Sequence, residues 1–310
     1  MTEERMTWTL IKRGARRGLA GLGAVALAAC STTPAPAPPA PAGPRPALWK
    51  LADADTTIYL FGTIHLLPKG FAWRTPALDR AIAASDTLVL ETLIGSDPDT
   101  AAARMVELGV TKGLPPLAER VPPEKRAALE QLIASTKVPV KVLDRMETWA
   151  AALTLLAISF RNMGYDPDLG VEKGLEASYK ASAKPVSGLE TIEQQFGFFD
   201  QLSEEAQRTF LIGILDAPAE ARAEFEAMLK AWAAGDTEEI AATFDSETAL
   251  MPELREVLMR KRNAAWAEWL EKRLEEPGTV MVAVGAGHLV GRDSVQAMLK
   301  QRGLEARRVQ

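Results

Sequence analysis

The chain is poor in the residues that most often staple a fold or capture a metal. It has one cysteine, Cys30, and two histidines, His65 and His288, among 310 residues. A single cysteine excludes an internal disulfide and every motif built on a cysteine pair. No Gly-x-Ser-x-Gly elbow, no His-Glu-x-x-His and no P-loop occurs, which removes three large enzyme classes. Gly285-x-Gly287-x-x-x-Gly291 departs from the dinucleotide fingerprint and lies too late for a complete strand-helix-strand unit, so a nicotinamide enzyme is excluded. The formal net charge is −5 and no basic patch stands out, so nucleic acid is not an expected partner.

What is present begins with the pattern of an export signal. Arg5, Lys12, Arg13, Arg16 and Arg17 precede the uncharged stretch 18–29, which is too short to span a bilayer as a mature helix. Leu27, Ala28, Ala29 and Cys30 match a lipobox, with cleavage before the cysteine and acylation on it. A lone thiol at the end of a signal segment has a ready explanation as a lipid anchor. We therefore expect residues 1–30 to be a lipoprotein signal and the protein to be held at the cell envelope, facing the periplasm. Ser31 is compatible with sorting to the outer membrane, and the Arg16-Arg17 pair leaves a twin-arginine route open. Residues 31–46 are dominated by Pro and Ala, which cannot bury a core and favour an extended tether. Without the first 30 residues the net charge is about −8, because five positive and two negative charges leave with them. Residues 47–310 are then near the upper size of a single hydrophobic core.

Strand signals sit at the two ends of that domain and helical signals fill its middle. Thr57–Phe61, Thr87–Leu90 and Thr279–Val284 are short β-branched and aliphatic runs typical of buried strands, with Pro185–Ser187 and Leu48–Leu51 as weaker candidates. Thr75 followed by Pro76 marks a helix start between the first two strong strands. The region 98–274 alternates helical periodicity with Gly and Pro, including Glu147–Met163, Glu204–Leu215 and Glu253–Leu274, and 293–301 closes the chain as a helix. The expected class is α/β: a mixed or mostly parallel sheet built by the N- and C-terminal parts, with a large helical insertion.

The histidines carry the functional signal. Gly62-Thr-Ile-His65 and Gly285-Ala-Gly-His288 each follow a strand, which puts each imidazole just past a strand's carboxyl end, where ligands bind in open α/β sheets. With glycine at about 7% of positions, two histidines both preceded by Gly at that distance arise by chance about 0.5% of the time. Glu91 and Glu190 end two further strand signals. Two imidazoles and two carboxylates at one rim suit a divalent Zn, Mn, Co or Fe ion, with Mn, Co or Zn the expected cofactor, and a water to activate. Read singly, each has a plainer duty: a histidine at a strand end as a buried hydrogen-bonding group, Glu91 as an ion-pair partner, Glu190 as a charge at a helix start. Arg262 and Asn263 share a helix with Trp266 and Trp269. An inward Arg262 would hold an anion or a developing oxyanion, with Asn263 orienting it, whereas a solvated basic face is the plainer reading.

These residues, together with Leu48-Trp-Lys, Ser85-Asp-Thr-Leu-Val-Leu-Glu91, Gly164-Tyr-Asp-Pro-Asp-Leu-Gly-Val-Glu172, Lys184-Pro-Val-Ser-Gly-Leu-Glu190 and Val284-Gly-Ala-Gly-His288, resemble the TraB/GumN family, which includes the Tiki proteins. The likeness covers nearly all of 48–305. Leu93 stands where members often have an acidic residue, and Glu172 where Asp is common. The resemblance implies a fold related to the erythromycin esterase and ChaN-like group, and a metal-dependent, peptidase-like hydrolase acting on an exported peptide or protein. In it, His65 and His288 would be metal ligands with Glu91 or Glu190 as the third, and the other glutamate the general base. The ChaN-like relationship also leaves open a haem- or iron-binding protein without hydrolysis, and the pheromone-dampening members a protein that sequesters a peptide signal.

Overall fold

The computed structural model describes Gly43–Gln310 apart from residues 95–96, 216–217 and 250–251. The expected signal segment, Cys30 and most of the Pro/Ala stretch lie outside the described residues. No helix among the described residues is long and apolar enough to cross a membrane.

The protein is α/β. Strands β1 (Leu48–Ala52), β2 (Thr56–Thr63), β4 (Thr87–Leu90), β6 (Val186–Gly188), β7 (Gly278–Gly285) and β8 (Arg307–Arg308) form a mixed sheet in the order β6-β4-β7-β2-β1-β8. The four strands β6, β4, β7 and β2 run parallel, and β1 and β8 add antiparallel at one edge. A separate ribbon pairs β3 (Leu67–Pro68) with β5 (Tyr165–Asp166). Neither ribbon strand nor β8 carries a run long enough to be read from sequence, since each has two residues.

The helix Pro76–Ala84 connects β2 to β4, with the Thr75 hydroxyl accepting from the Leu78 amide and Pro76 in the first turn, where its missing N–H costs nothing. The two strands it joins are not neighbours. β7, from the far end of the chain, lies between them, and six of its eight residues are buried, since strands pair along both its edges and helices pack on both its faces. Alternate residues divide between the two faces. Phe61, Leu88, Leu90, Met281 and Ala283 pack toward Leu78, Leu175 and Trp232. Ile58, Leu60, Val89, Val280, Val282 and Val284 pack toward Trp266, Leu270 and Leu299. The region 98–215 carries its own core around Trp149 and Leu155.

The expected helix over Glu253–Leu274 is three pieces: Pro252–Arg255, a π-helical turn Glu256–Arg260, and Lys261–Arg273. Amphipathic periodicity does not distinguish a π turn from an α turn over five residues. The widened turn lies directly before Arg262, and such turns favour functional positions. The closing helix begins at Val295 rather than 293, because Ser294 is its N-cap and accepts from the Ala297 amide.

Candidate functional site

Four parallel strands end at one rim, and each delivers one polar residue there. β2 is followed by His65, β4 by Glu91, β6 by Glu190, and β7 by a short 3-10 turn, Ala286–Leu289, that carries His288. Parallel register fixes this convergence, since Leu90 pairs with Ala283 and with Gly188, and Thr63 with Gly285.

Gly285 is the floor between them. A Cβ built there would lie 3.1 Å from Glu91 Oε1, 3.5 Å from the His288 ring and 3.6 Å from His65 Nε2. The missing side chain therefore leaves a gap bounded by both imidazoles and one carboxylate. The Gly285 amide donates to Glu91 Oε1 at 2.5 Å, which aims that oxygen at the gap.

The two histidines stand in opposite surroundings. His288 is buried, and its Nδ1 lies 2.6 Å from Asn263 Oδ1. Asn263 Nδ2 donates to the Asp293 carbonyl at 2.7 Å, which orients the amide so that its oxygen faces the ring. His288 therefore carries its proton on Nδ1 and presents a lone pair at Nε2. Burial pushes its pKa down to about 3, so it is neutral at physiological pH. The Trp266 ring packs on it at 4.5 Å between centroids. His65 has its side chain 64% exposed, with Nδ1 2.6 Å from Glu172 Oε1. The Glu172 carboxylate raises its pKa to about 9, against the opposing effect of desolvation.

Glu172 reaches His65 through a close backbone approach. The Val171 amide donates to the Ile64 carbonyl, and a Cβ on Gly170 would lie 2.3 Å from the His65 carbonyl oxygen. Only glycine fits there. We expect Gly170→Ala to cost about 1–3 kcal/mol, the usual price of overpacking against atoms that cannot move aside. As the Glu172 pairing loosens, the His65 pKa should fall toward its ordinary 6.5. Urea unfolding and NMR titration of the two imidazoles would measure both, and an unshifted His65 titration would refute the coupling.

Arg262 is the hub behind the rim. Its Nε and Nη2 donate to the two oxygens of Glu190 at 2.8 and 2.9 Å, and Nη2 also donates to Glu91 Oε2 at 2.7 Å. Nη1 donates to the Leu258 carbonyl at 3.2 Å and faces His288 Nε2 at 3.3 Å. The guanidinium is stacked by Trp266 and Phe198 at 4.7 and 5.3 Å. Four of its five N–H groups are committed to Glu190, Glu91 and Leu258, and the fifth faces the His288 Nε2 lone pair, so only that one would be free to face an oxyanion if His288 held a metal. Asn263 likewise spends its amide on His288 and Asp293. Glu190 also accepts from Trp266 Nε1 at 2.9 Å, and burial raises its pKa. Burial also opposes ionisation of Glu91, but His288, which is charged only at the low pH where Glu91 titrates, together with the charges of Arg262 and His65 and the Gly285 amide, outweighs it and holds its pKa low.

The family model for the TraB/PrgY/gumN family matches residues 47–308. The chain belongs to this family. Its curated relatives include the uncharacterized protein YbaP of Escherichia coli K12, 25% identical over 82% of this chain and 92% of its own length. The YbaP of Shigella flexneri is 26% identical over 78% and 87%. An uncharacterized protein of Treponema pallidum is 22% identical over 83% and 80%. No solved structure matches.

The segments quoted above for the TraB/PrgY/gumN resemblance acquire physical duties. Glycine and glutamate of the 164–172 segment seat His65. Lys184 donates to the Ile82, Ala83 and Ser85 carbonyls and so caps the end of the Pro76–Ala84 helix. Trp266, whose spacing reads as ordinary core, is both core and a donor to Glu190. Glu172, Gln195, which accepts from Arg262 Nη2 at 3.3 Å, and the Asp293 carbonyl were not visible as parts of the site, because nothing local marks a group whose partner lies 30 to 107 residues away.

The donor chemistry fits a divalent metal. Both histidines have Nδ1 against a fixed acceptor, Glu172 or Asn263, the arrangement that leaves Nε2 as a ligand and sets ring orientation. Nitrogen, nitrogen and carboxylate oxygen around an open gap suit Zn, Mn or Co. Among the described residues no three His, Cys, Asp or Glu side chains are gathered closely enough to enclose an ion. The fit thus rests on donor type and on the Gly285 gap.

Proposed function

We propose that this protein is a metal-dependent, peptidase-like hydrolase of the cell envelope, anchored through Cys30 and acting on an exported peptide or protein. The observation that carries the reading is the gap over Gly285, bounded by two oriented imidazoles and the Glu91 carboxylate. His65 Nε2, His288 Nε2 and Glu91 would hold a Mn, Co or Zn ion. Such an ion lowers the pKa of a bound water and polarises a carbonyl.

The chain's own residues supply the rest. Glu172 keeps the His65 ring turned with Nε2 outward, and Asn263 keeps the His288 proton on Nδ1. Glu91 stays ionised and is the carboxylate facing the gap, which suits it to the third ligand position rather than to the role of base. Glu190, committed to Arg262 and Trp266, fixes the guanidinium rather than acting as the base. Arg262 in turn aligns Glu91 and His288, and its positive charge favours negative charge developing nearby without a direct contact.

The test is elemental analysis of the full chain purified without chelator, followed by incubation with a mixed peptide library. The expected result is near-stoichiometric divalent metal and chelator-sensitive cleavage. Absence of bound metal after reconstitution with Mn, Co and Zn would overturn the reading in favour of haem, iron or peptide capture.

A further inference from the structure

We propose that an open groove built on the segment that follows His65 is the specificity subsite for the substrate, taking an apolar side chain of an extended peptide that carries an acidic group nearby. This rests on the hydrolase reading for its link to cleavage, although the groove can be tested without it. The groove has a volume of about 470 Å³, and its floor is Pro68, Phe71, Met163, Tyr165, Leu229 and Ala233. That volume is in the range of small-ligand sites, ample for one large apolar side chain.

Every wall of the groove is tied to the His65 segment. Pro68 in β3 follows His65 by three residues and pairs with Tyr165 in β5. β5 leads through Pro167–Leu169 to Gly170 and Glu172, which grip the His65 backbone and ring. Leu229 and Ala233 belong to the Pro218–Ala234 helix, whose Trp232 donates to the Gly62 carbonyl at the end of β2 and packs on Phe71 at 6.2 Å. At about 3.3 Å per extended residue, the three-residue step from His65 to Pro68 spans roughly 10 Å. A peptide lying across the rim would thus place in the groove the side chain two to four residues from the bond being cut.

The lip argues for a peptide rather than an acyl chain. Arg222, Glu226 and Lys230 occupy successive turns of the helix along it. Arg222 and Glu226 pair with each other at 2.9 Å, and Glu226 also accepts from Tyr165. Lys230 is exposed and makes no ion pair among the described residues, so an acidic side chain or a terminal carboxylate beside the apolar anchor has a counter-charge waiting.

The experiment is hydrogen-exchange mass spectrometry on the full chain with a decapeptide probe of alanines bearing one leucine and a glutamate two residues away. The expected result is several-fold slower exchange over 67–71 and 225–233. That protection should be lost when the leucine is replaced by serine, and in Ala233→Trp, which fills the groove. Lys230→Glu, an exposed change that leaves the core alone, should weaken the same probe about tenfold and restore binding when the probe glutamate becomes lysine. No protection, protection by dodecanoate but not by peptide, or protection that grows with protein concentration alone would each overturn the subsite. In the cleavage library, an apolar preference at one fixed position that disappears in Ala233→Trp supports it. Protection without any cleavage would sink the hydrolase reading and leave the groove standing, whereas cleavage without protection would do the reverse.

Discussion

Arg262→Met should lower the unfolding free energy by about 3–5 kcal/mol at pH 7, the cost of leaving buried charges without their partner. Two carboxylates depend on this guanidinium. Glu190 is held by a two-point contact and Glu91 by a 2.7 Å bond, with the side chains of all three nearly shielded from solvent. Arg262→Lys should recover little of the loss, since an ammonium cannot span Glu190 in parallel and reach Glu91 and Leu258 as well. The pH dependence separates this cause from lost packing. In the native protein the depressed pKa of Glu91 contributes stability above the unfolded carboxylate range, and that contribution is lost as pH falls through the folded value. In Arg262→Met burial acts on both carboxylates without the guanidinium to oppose it and raises their pKa values, although His65 and the Gly285 amide still favour the charged Glu91 and the Trp266 indole the charged Glu190. Their contribution then becomes a cost that appears as pH rises. The gap between the two proteins should therefore be widest near neutrality and narrow below about pH 4. A gap that is the same at pH 4 and pH 7 in urea titrations would show that Arg262 acts through packing alone.

His65→Ala should have the opposite signature: stability nearly unchanged, with metal retention and hydrolysis abolished. The imidazole is largely in solvent, so its pairing with Glu172 is screened and worth no more than about 1 kcal/mol to the fold. For function it provides one of the two nitrogens at the Gly285 gap. We expect turnover to fall by about 10²–10³-fold or more, the size of effect seen when a preorganised transition-state contact is removed. His288→Ala should lose activity equally but also destabilise the fold, because Asn263 Oδ1 is then buried without its donor. Measuring metal content, library cleavage and urea midpoints on both variants resolves the two effects. Retained metal and cleavage in His65→Ala would refute the proposed ligand set.

Much of the site was legible in the chain itself because the physics is local. A short aliphatic run followed by Gly-x-x-His says that an imidazole leaves a strand at its carboxyl end, and the same logic placed Glu91. β4 was read to the residue, and β2 and β7 to within a few residues. Where local pattern left two readings open or gave none, a distant partner decided. Arg262 has the composition of a solvated basic face, yet two carboxylates from other strands and two aromatic rings make it a buried clamp. The π turn before it is invisible to periodicity. The ribbon of β3 and β5 has two residues per strand, too few for any pattern.

The sequence by itself determined that this is an α/β protein of the TraB/PrgY/gumN family whose two histidines follow strand ends, since side-chain alternation and glycine placement are properties of neighbouring residues. Only the tertiary structure decided which groups meet. β7 enters between β2 and β4 across more than 180 residues of chain, and that insertion alone sets Gly285 between His65 and Glu91. The proton positions on the imidazoles, the depressed and raised carboxylates and the contacts of Arg262 with Glu91 and Glu190 all follow from it. Each depends on burial and on distances between groups far apart in the chain, quantities that no local pattern encodes.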